Sequence, residues 1–126
     1  MDVKKREEII KFAQKLNSTN LSPLRSGNIS LKAQNNNEEG FLITPSGKKY
    51  DSLKADDIVF VSLEGRYDEK GLQPSSEWRF HKDIYLKKAN AKAVVHAHSP
   101  HATAVSAHNK DIPAFHYMIA LAGGDN

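Results

Sequence analysis

The sequence contains no cysteine, which excludes disulfides and thiolate chemistry. It has no apolar run approaching about eighteen residues, so no membrane-spanning helix is expected. The first ten residues are mostly charged and carry no apolar stretch, so no secretory signal is expected either. Together these absences give a cytoplasmic protein as the expectation. Charge of one sign never accumulates: Lys4, Lys5 and Arg6 are followed at once by Glu7 and Glu8, and the formal net charge is +3. Without a long basic run or a basic stripe interleaved with aromatics, nucleic acid is not an expected partner. A slightly basic surface suits an anionic small molecule.

What is present is an ordinary globular composition over 126 residues, read as one domain, 1–126. Ile9, Phe12, Ala13 and Leu16 recur at helical spacing and predict an amphipathic helix over 3–16. The run Asn17-Ser18-Thr19-Asn20 ends it, because these side chains compete for backbone hydrogen bonds. Short strands are expected at 29–32, 40–43, 58–63 and 93–97, with a polar loop over 34–40 and a helical turn over 51–55. A helix is expected from Ser75-Ser76 to about Ala89. A third helix, of small residues, 102–107, is expected to pack under the last strand. No internal repeat or linker marks a second domain.

The stretch from Pro74 to His98 carries the chemistry. On a strand, His96 and His98 point to the same face, and two imidazoles on one face make half of a first-row metal site. Glu77, at the start of the preceding helix, adds a carboxylate. A carboxylate beside a divalent metal suits proton removal α to a carbonyl. Three turns invite an anion. Gly27-Asn28 supplies either positive φ for a turn or a close backbone approach plus an amide donor. Ser46-Gly47 after Pro45 makes a tight turn whose N–H groups can form an anion-binding concavity. Ser75-Ser76 caps a helix, and the same N–H groups and hydroxyls can bind phosphate. His81, one turn beyond Glu77, is read as a packing or hydrogen-bonding residue, and His101 and His108 as surface or capping histidines.

The pieces S-G-N-I-S (26–30), I-T-P-S-G (43–47), P-S-S-E-W-R-F-H (74–81), A-V-V-H-A-H (93–98), I-P-A-F-H-Y-M-I-A (112–120) and A-G-G (122–124) stand in one order along the chain. In that order they resemble the class II aldolase/adducin family, and within it the L-fuculose-phosphate aldolase branch. The resemblance implies an α/β fold of three layers, α/β/α, with a mostly antiparallel central sheet, assembled as a homotetramer. It implies Zn2+ held by Glu77, His96 and His98, with Glu77 also the base. It implies a substrate phosphate held by Gly27, Asn28, Ser46, Gly47, Ser75 and Ser76, and Tyr117 acting as a proton donor across a subunit boundary. The implied reaction is retro-aldol cleavage of a sugar 1-phosphate to dihydroxyacetone phosphate and an aldehyde.

The resemblance also implies a third histidine ligand, in a segment after the A-G-G. His101, His108 and His116 do not fall at that position, and no later histidine follows. The expectation is therefore a piece of a longer reading frame or a truncated relative, lacking the C-terminal part of the family domain and not catalysing at a useful rate alone. Alternatives within the family are a pentulose-phosphate 4-epimerase, whose members carry aspartate where Glu77 stands, and a phosphoketose dehydratase. The alternative from another class is a non-catalytic adducin-like interaction module, against which Glu77, His96 and His98 argue.

Overall fold

A computed structural model describes residues 2–24, 26–111, 113 and 116–122. Parts of the last two expected motifs, Ile112, Ala114, Phe115, Gly123 and Gly124, lie outside the described residues. Helix α1 (Val3–Ser18) begins at Asp2, whose carboxylate accepts from the Lys5 N–H at 3.2 Å. It buries Arg6, Ile9, Ala13 and Leu16, one face of the helix. Arg6 reaches out of that face, and its Nη1 donates to the carbonyls of Ala55 and Ile58, each at 2.7 Å.

Strands β1 (Asn28–Asn35), β2 (Glu38–Ile43), β3 (Val59–Ser62) and β4 (Ala93–His96) form one sheet in the order β3-β2-β1-β4, antiparallel throughout. The polar loop expected over 34–40 is almost all strand. Asn36 and Asn37 alone make the turn, with φ of 49° and 66°. Asparagine tolerates that left-handed region, and two such residues match the twist of a two-residue hairpin. Polar side chains there mark the solvent end of a hairpin, not a break in pairing.

Side chains alternate across β2, so Leu42 faces one layer and Phe41 and Ile43 the other. On the first face Ile9, Ala13 and Leu16 of α1 pack with Ile29, Ala33, Leu42, Tyr50 and Ile58. On the second, Trp78 and Tyr85 of α2 (Trp78–Lys87) pack with Phe41, Ile43, Val59 and Val61. The sheet thus sits between helices, the three-layer α/β/α arrangement.

Two further expectations need correction. The serines do not cap α2: the helix starts at Trp78, with Glu77 at the N-cap position and no side-chain capping bond. Helix α3 (Pro100–Ser106) does not pack under β4, because every one of its residues is exposed. Its alanine, serine and threonine side chains offer little apolar surface to drive docking. Among the described residues no helix is long and apolar enough to cross a membrane.

Candidate metal centre and anion cavity

Four segments meet at one end of the sheet. Antiparallel pairing sets Asn28, the first residue of β1, directly opposite His96, the last of β4. Beyond β4 the chain is pinned by the His98 N–H, which donates to Ser22 Oγ at 2.7 Å. His98 lies outside the strand, yet its ring stacks on that of His96, centroids 4.6 Å apart and planes within 6°. The two imidazoles therefore share a face, as alternation predicts. Glu77 arrives from the start of α2, its Oε2 at 3.4 Å from His96 Nδ1.

Donor atoms of Glu77, His96 and His98 all lie within 4.8 Å of one another. A tetrahedral ion with bonds of about 2.0–2.1 Å separates its donors by about 3.4 Å. The Glu77–His96 pair already has that spacing, at 3.4 Å. Two imidazoles and one carboxylate suit zinc or another first-row divalent ion. The donor set fits a metal.

Beside it lies a cavity of about 300 Å³, lined by Gly27, Asn28, Ser46, Gly47, Ser75, Ser76, Glu77 and His98 among others. All six residues expected to hold phosphate are gathered there. A backbone bridge between Pro45 and Pro74 joins the two serine-bearing segments. That joining has a consequence for the turns. The Ser46 N–H donates to the Gln73 carbonyl at 2.9 Å and the Ser75 N–H to the Thr44 carbonyl at 3.0 Å. The Trp78 N–H donates back to the Ser75 carbonyl at 3.0 Å. These three N–H groups are engaged within the fold, whereas the Ser46, Ser75 and Ser76 side chains line the cavity. Hollows of about 380 and 700 Å³ lie elsewhere, so size alone does not mark the site; its donor set does.

Gly27 has φ of 78°, and a Cβ built there would stand 2.6 Å from the His96 carbonyl oxygen and 2.6 Å from Ser22 Oγ. Its lack of a side chain lets β1 start hard against the strand that carries His96. Gly27→Ala is expected to lose roughly 2–4 kcal/mol of stability, from left-handed backbone strain and overpacking together. Urea denaturation measures it, and an unchanged midpoint would show that the Gly27–His96 approach relaxes freely.

Asn28 has an engagement the sequence did not suggest. Its Nδ2 donates to Glu77 Oε2 at 2.5 Å, and its Oδ1 lies 2.5 Å from His81 Nε2. What remains for a phosphate oxygen is the second hydrogen on Nδ2. His81, read from sequence as a packing or hydrogen-bonding residue, is wholly buried and is pushed down to about 4 in pKa, chiefly by burial. Spacing held a usable signal: Glu77 at the N-cap, His81 and Tyr85 on α2 fall four apart, and Asn28 and Ser30 two apart on β1. Polar residues at those periods belong to one helix face and one strand face.

Tyr117 lies far out in solvent, 78% exposed, and is not among the residues lining the cavity. His101 and His108 are exposed on and after α3 and join no metal-ligating group among the described residues.

A family profile described as the class II aldolase and adducin N-terminal domain matches residues 7–126. The L-fuculose phosphate aldolase of Escherichia coli (strain K12) is 44% identical over 119 residues, 94% of this chain and 53% of that protein. A 5-methylthioribulose-1-phosphate/5-deoxyribulose-1-phosphate aldolase of Rhodospirillum rubrum is 41% identical over 121 residues, 96% of this chain and 52% of that protein. Among solved structures, an L-fuculose 1-phosphate aldolase superposes with a TM-score of 0.83 at 34% identity, covering 96% of this chain and 56% of its own. The chain spans about half the length of the curated relatives it matches.

Proposed function

Since the chain belongs to the class II aldolase and adducin family, we propose that it carries the metal and phosphate half of an aldolase site acting on a ketose 1-phosphate. The products would be dihydroxyacetone phosphate and an aldehyde. The observation that carries this reading is the Glu77, His96 and His98 donor set opening on a cavity lined by Ser46, Gly47, Ser75 and Ser76. L-Fuculose 1-phosphate and the 5-deoxypentulose 1-phosphates named for its relatives share that anionic end and differ in the aldehyde released.

His96, His98 and Glu77 would hold the ion, with Zn2+ the choice their donor chemistry favours. When bound, such an ion polarises a carbonyl oxygen and stabilises negative charge that develops on it. Glu77 takes or returns the proton, with Asn28 holding its Oε2 and leaving Oε1 for transfer. The hydroxyls of Ser46, Ser75 and Ser76 bind the phosphate, and Lys48, which also lines the cavity, adds positive charge at its edge. Its ammonium is shared with Asp57 at 2.6 Å. Tyr117, exposed and outside the cavity lining within one chain, acts from a neighbouring copy of a homotetramer as the proton donor. Holding both ends of the substrate turns cleavage into a positioned, effectively unimolecular step.

The test compares a ketose 1-phosphate with the same sugar lacking phosphate, using the full-length protein and added zinc. Each charge-assisted hydrogen bond to the phosphate is worth about 1.5–3 kcal/mol, so kcat/KM should differ by about tenfold or more. Equal kcat/KM for the two sugars would make the serine turns structural only.

A further inference from the structure

One group of polar side chains is sealed between α2 and the sheet. His81 and Ser30 are wholly buried, Tyr85 is 2% exposed and Asn28 is 3% exposed. Polar groups in such an interface are costly unless each finds a partner. Here they form a line. Asn28 Oδ1 meets His81 Nε2 at 2.5 Å, His81 Nδ1 meets Ser30 Oγ at 2.7 Å, and Ser30 Oγ meets the Tyr85 hydroxyl at 2.8 Å. At one end Asn28 Nδ2 reaches Glu77 Oε2, and at the other the main chain of Val94 bonds the Tyr85 hydroxyl.

The placement of every hydrogen follows from the Glu77 end. An ionised carboxylate only accepts, so Asn28 turns its NH₂ toward Glu77 and its carbonyl toward His81. An amide oxygen only accepts, so His81 Nε2 carries the ring proton. Nδ1 of the neutral ring is then an acceptor, so Ser30 donates to it and the Tyr85 hydroxyl donates to Ser30. All four bonds run one way, from the core toward Glu77, and such chains strengthen cooperatively. The far end is anchored, because the Tyr85 ring packs on Phe41 with centroids 5.3 Å apart.

We propose that His81 is a positioning residue for the Glu77 carboxylate, acting through Asn28 to fix which oxygen is held and which is left for proton transfer. His81 is not among the residues lining the cavity, so its effect passes through Asn28. Without the Nε2–H donor, Asn28 Oδ1 loses its buried partner, and the side chain is free to swing and carry Nδ2 away from Glu77 Oε2. The proposal deepens the aldolase reading and rests on it.

Two variants separate positioning from packing. A glutamine amide nitrogen stands about where imidazole Nε2 stands, so His81→Gln keeps the donor to Asn28. An asparagine nitrogen stands about where Nδ1 stands, so His81→Asn does not. Groups that orient a metal-site carboxylate from behind are worth about 10–100-fold. In the full-length protein, kcat of His81→Asn is expected to fall by about that factor with KM little changed. His81→Gln should retain kcat about tenfold above His81→Asn. Independently of turnover, nitrogen NMR of the wild-type protein should show the Nε2–H tautomer of His81. The Asn28 side-chain amide protons should be slow to exchange in wild type and His81→Gln, and fast in His81→Asn. An Nδ1–H tautomer, or equal kcat losses in both variants, overturns the proposal. Wild-type protein without aldolase turnover would sink the aldolase reading, while tautomer and amide exchange would still decide the relay.

Discussion

In the full-length protein, if the proposed aldolase reading holds, Glu77→Gln is expected to lower retro-aldol turnover by about 10²–10⁴-fold, the range a positioned general base contributes. The fold should survive. Glutamine is the same length, and its carbonyl oxygen can accept the Asn28 Nδ2 bond that Glu77 Oε2 accepts at 2.5 Å. The neighbouring relay stays satisfied, since Asn28 keeps its orientation toward His81. What glutamine lacks is a lone pair basic enough to take a proton. Circular dichroism and urea denaturation should match wild type, while kcat falls. Wild-type-like turnover would remove Glu77 from the base role and return its carboxylate to a structural one.

A sharp loss of stability in mild acid is the second large effect, and it belongs to His81. Unfolded, its imidazole protonates near the ordinary value of 6.5; folded, it stays neutral until about 4. Burial is the main cause, with the nearby His96 charge second. Its other neighbours in the relay, Asn28 and Ser30, carry no charge. Between about pH 4 and 6.5 the unfolded chain therefore binds more protons than the folded one. Stability from this group is full above about pH 6.5 and is lost as pH falls toward 4. At about 1.36 kcal/mol per pH unit, that gap is worth roughly 3 kcal/mol, or about two orders of magnitude in the folding equilibrium. His81→Gln has no group to protonate there, so its urea midpoint should fall much less between pH 7 and 4.5. Equal falls in wild type and variant would assign the acid loss to other groups.

The two effects converge on one interface, and they divide what could be read from residues from what could not. The alternation His96-x-His98, with Glu77 upstream, marks a candidate metal donor set in the sequence, and the fold brings those three side chains together. The reason is simple: metal ligation is a property of side-chain chemistry, and local periodicity decides which faces those side chains share. Local pattern likewise placed α1, whose apolar stripe needs no tertiary partner to be recognised, and located the four strands along the chain, though not their order in the sheet. Family motifs supplied the three-layer expectation that the two packed faces of the sheet bear out.

Polar composition misled wherever a backbone bond lay out of sight. Gln34, Asn35, Glu38 and Glu39 read as loop, yet they pair in β1 and β2, because two left-handed asparagines close the hairpin behind them. Ser75-Ser76 read as a helix cap, but the Ser75 N–H is drawn off to Thr44, thirty-one residues back, and α2 starts later. Helix α3 read as a packed element and is exposed along its length.

By itself, then, the sequence determined which residues could bind a metal or an anion, since that is chemistry carried by each side chain. Only the tertiary structure decided what stands behind them. The His81–Asn28–Glu77 line joins residues 81, 28 and 77 across the α2–sheet interface. Its hydrogen bonds exist only because β1 and α2 pack face to face, a long-range juxtaposition that no local period encodes.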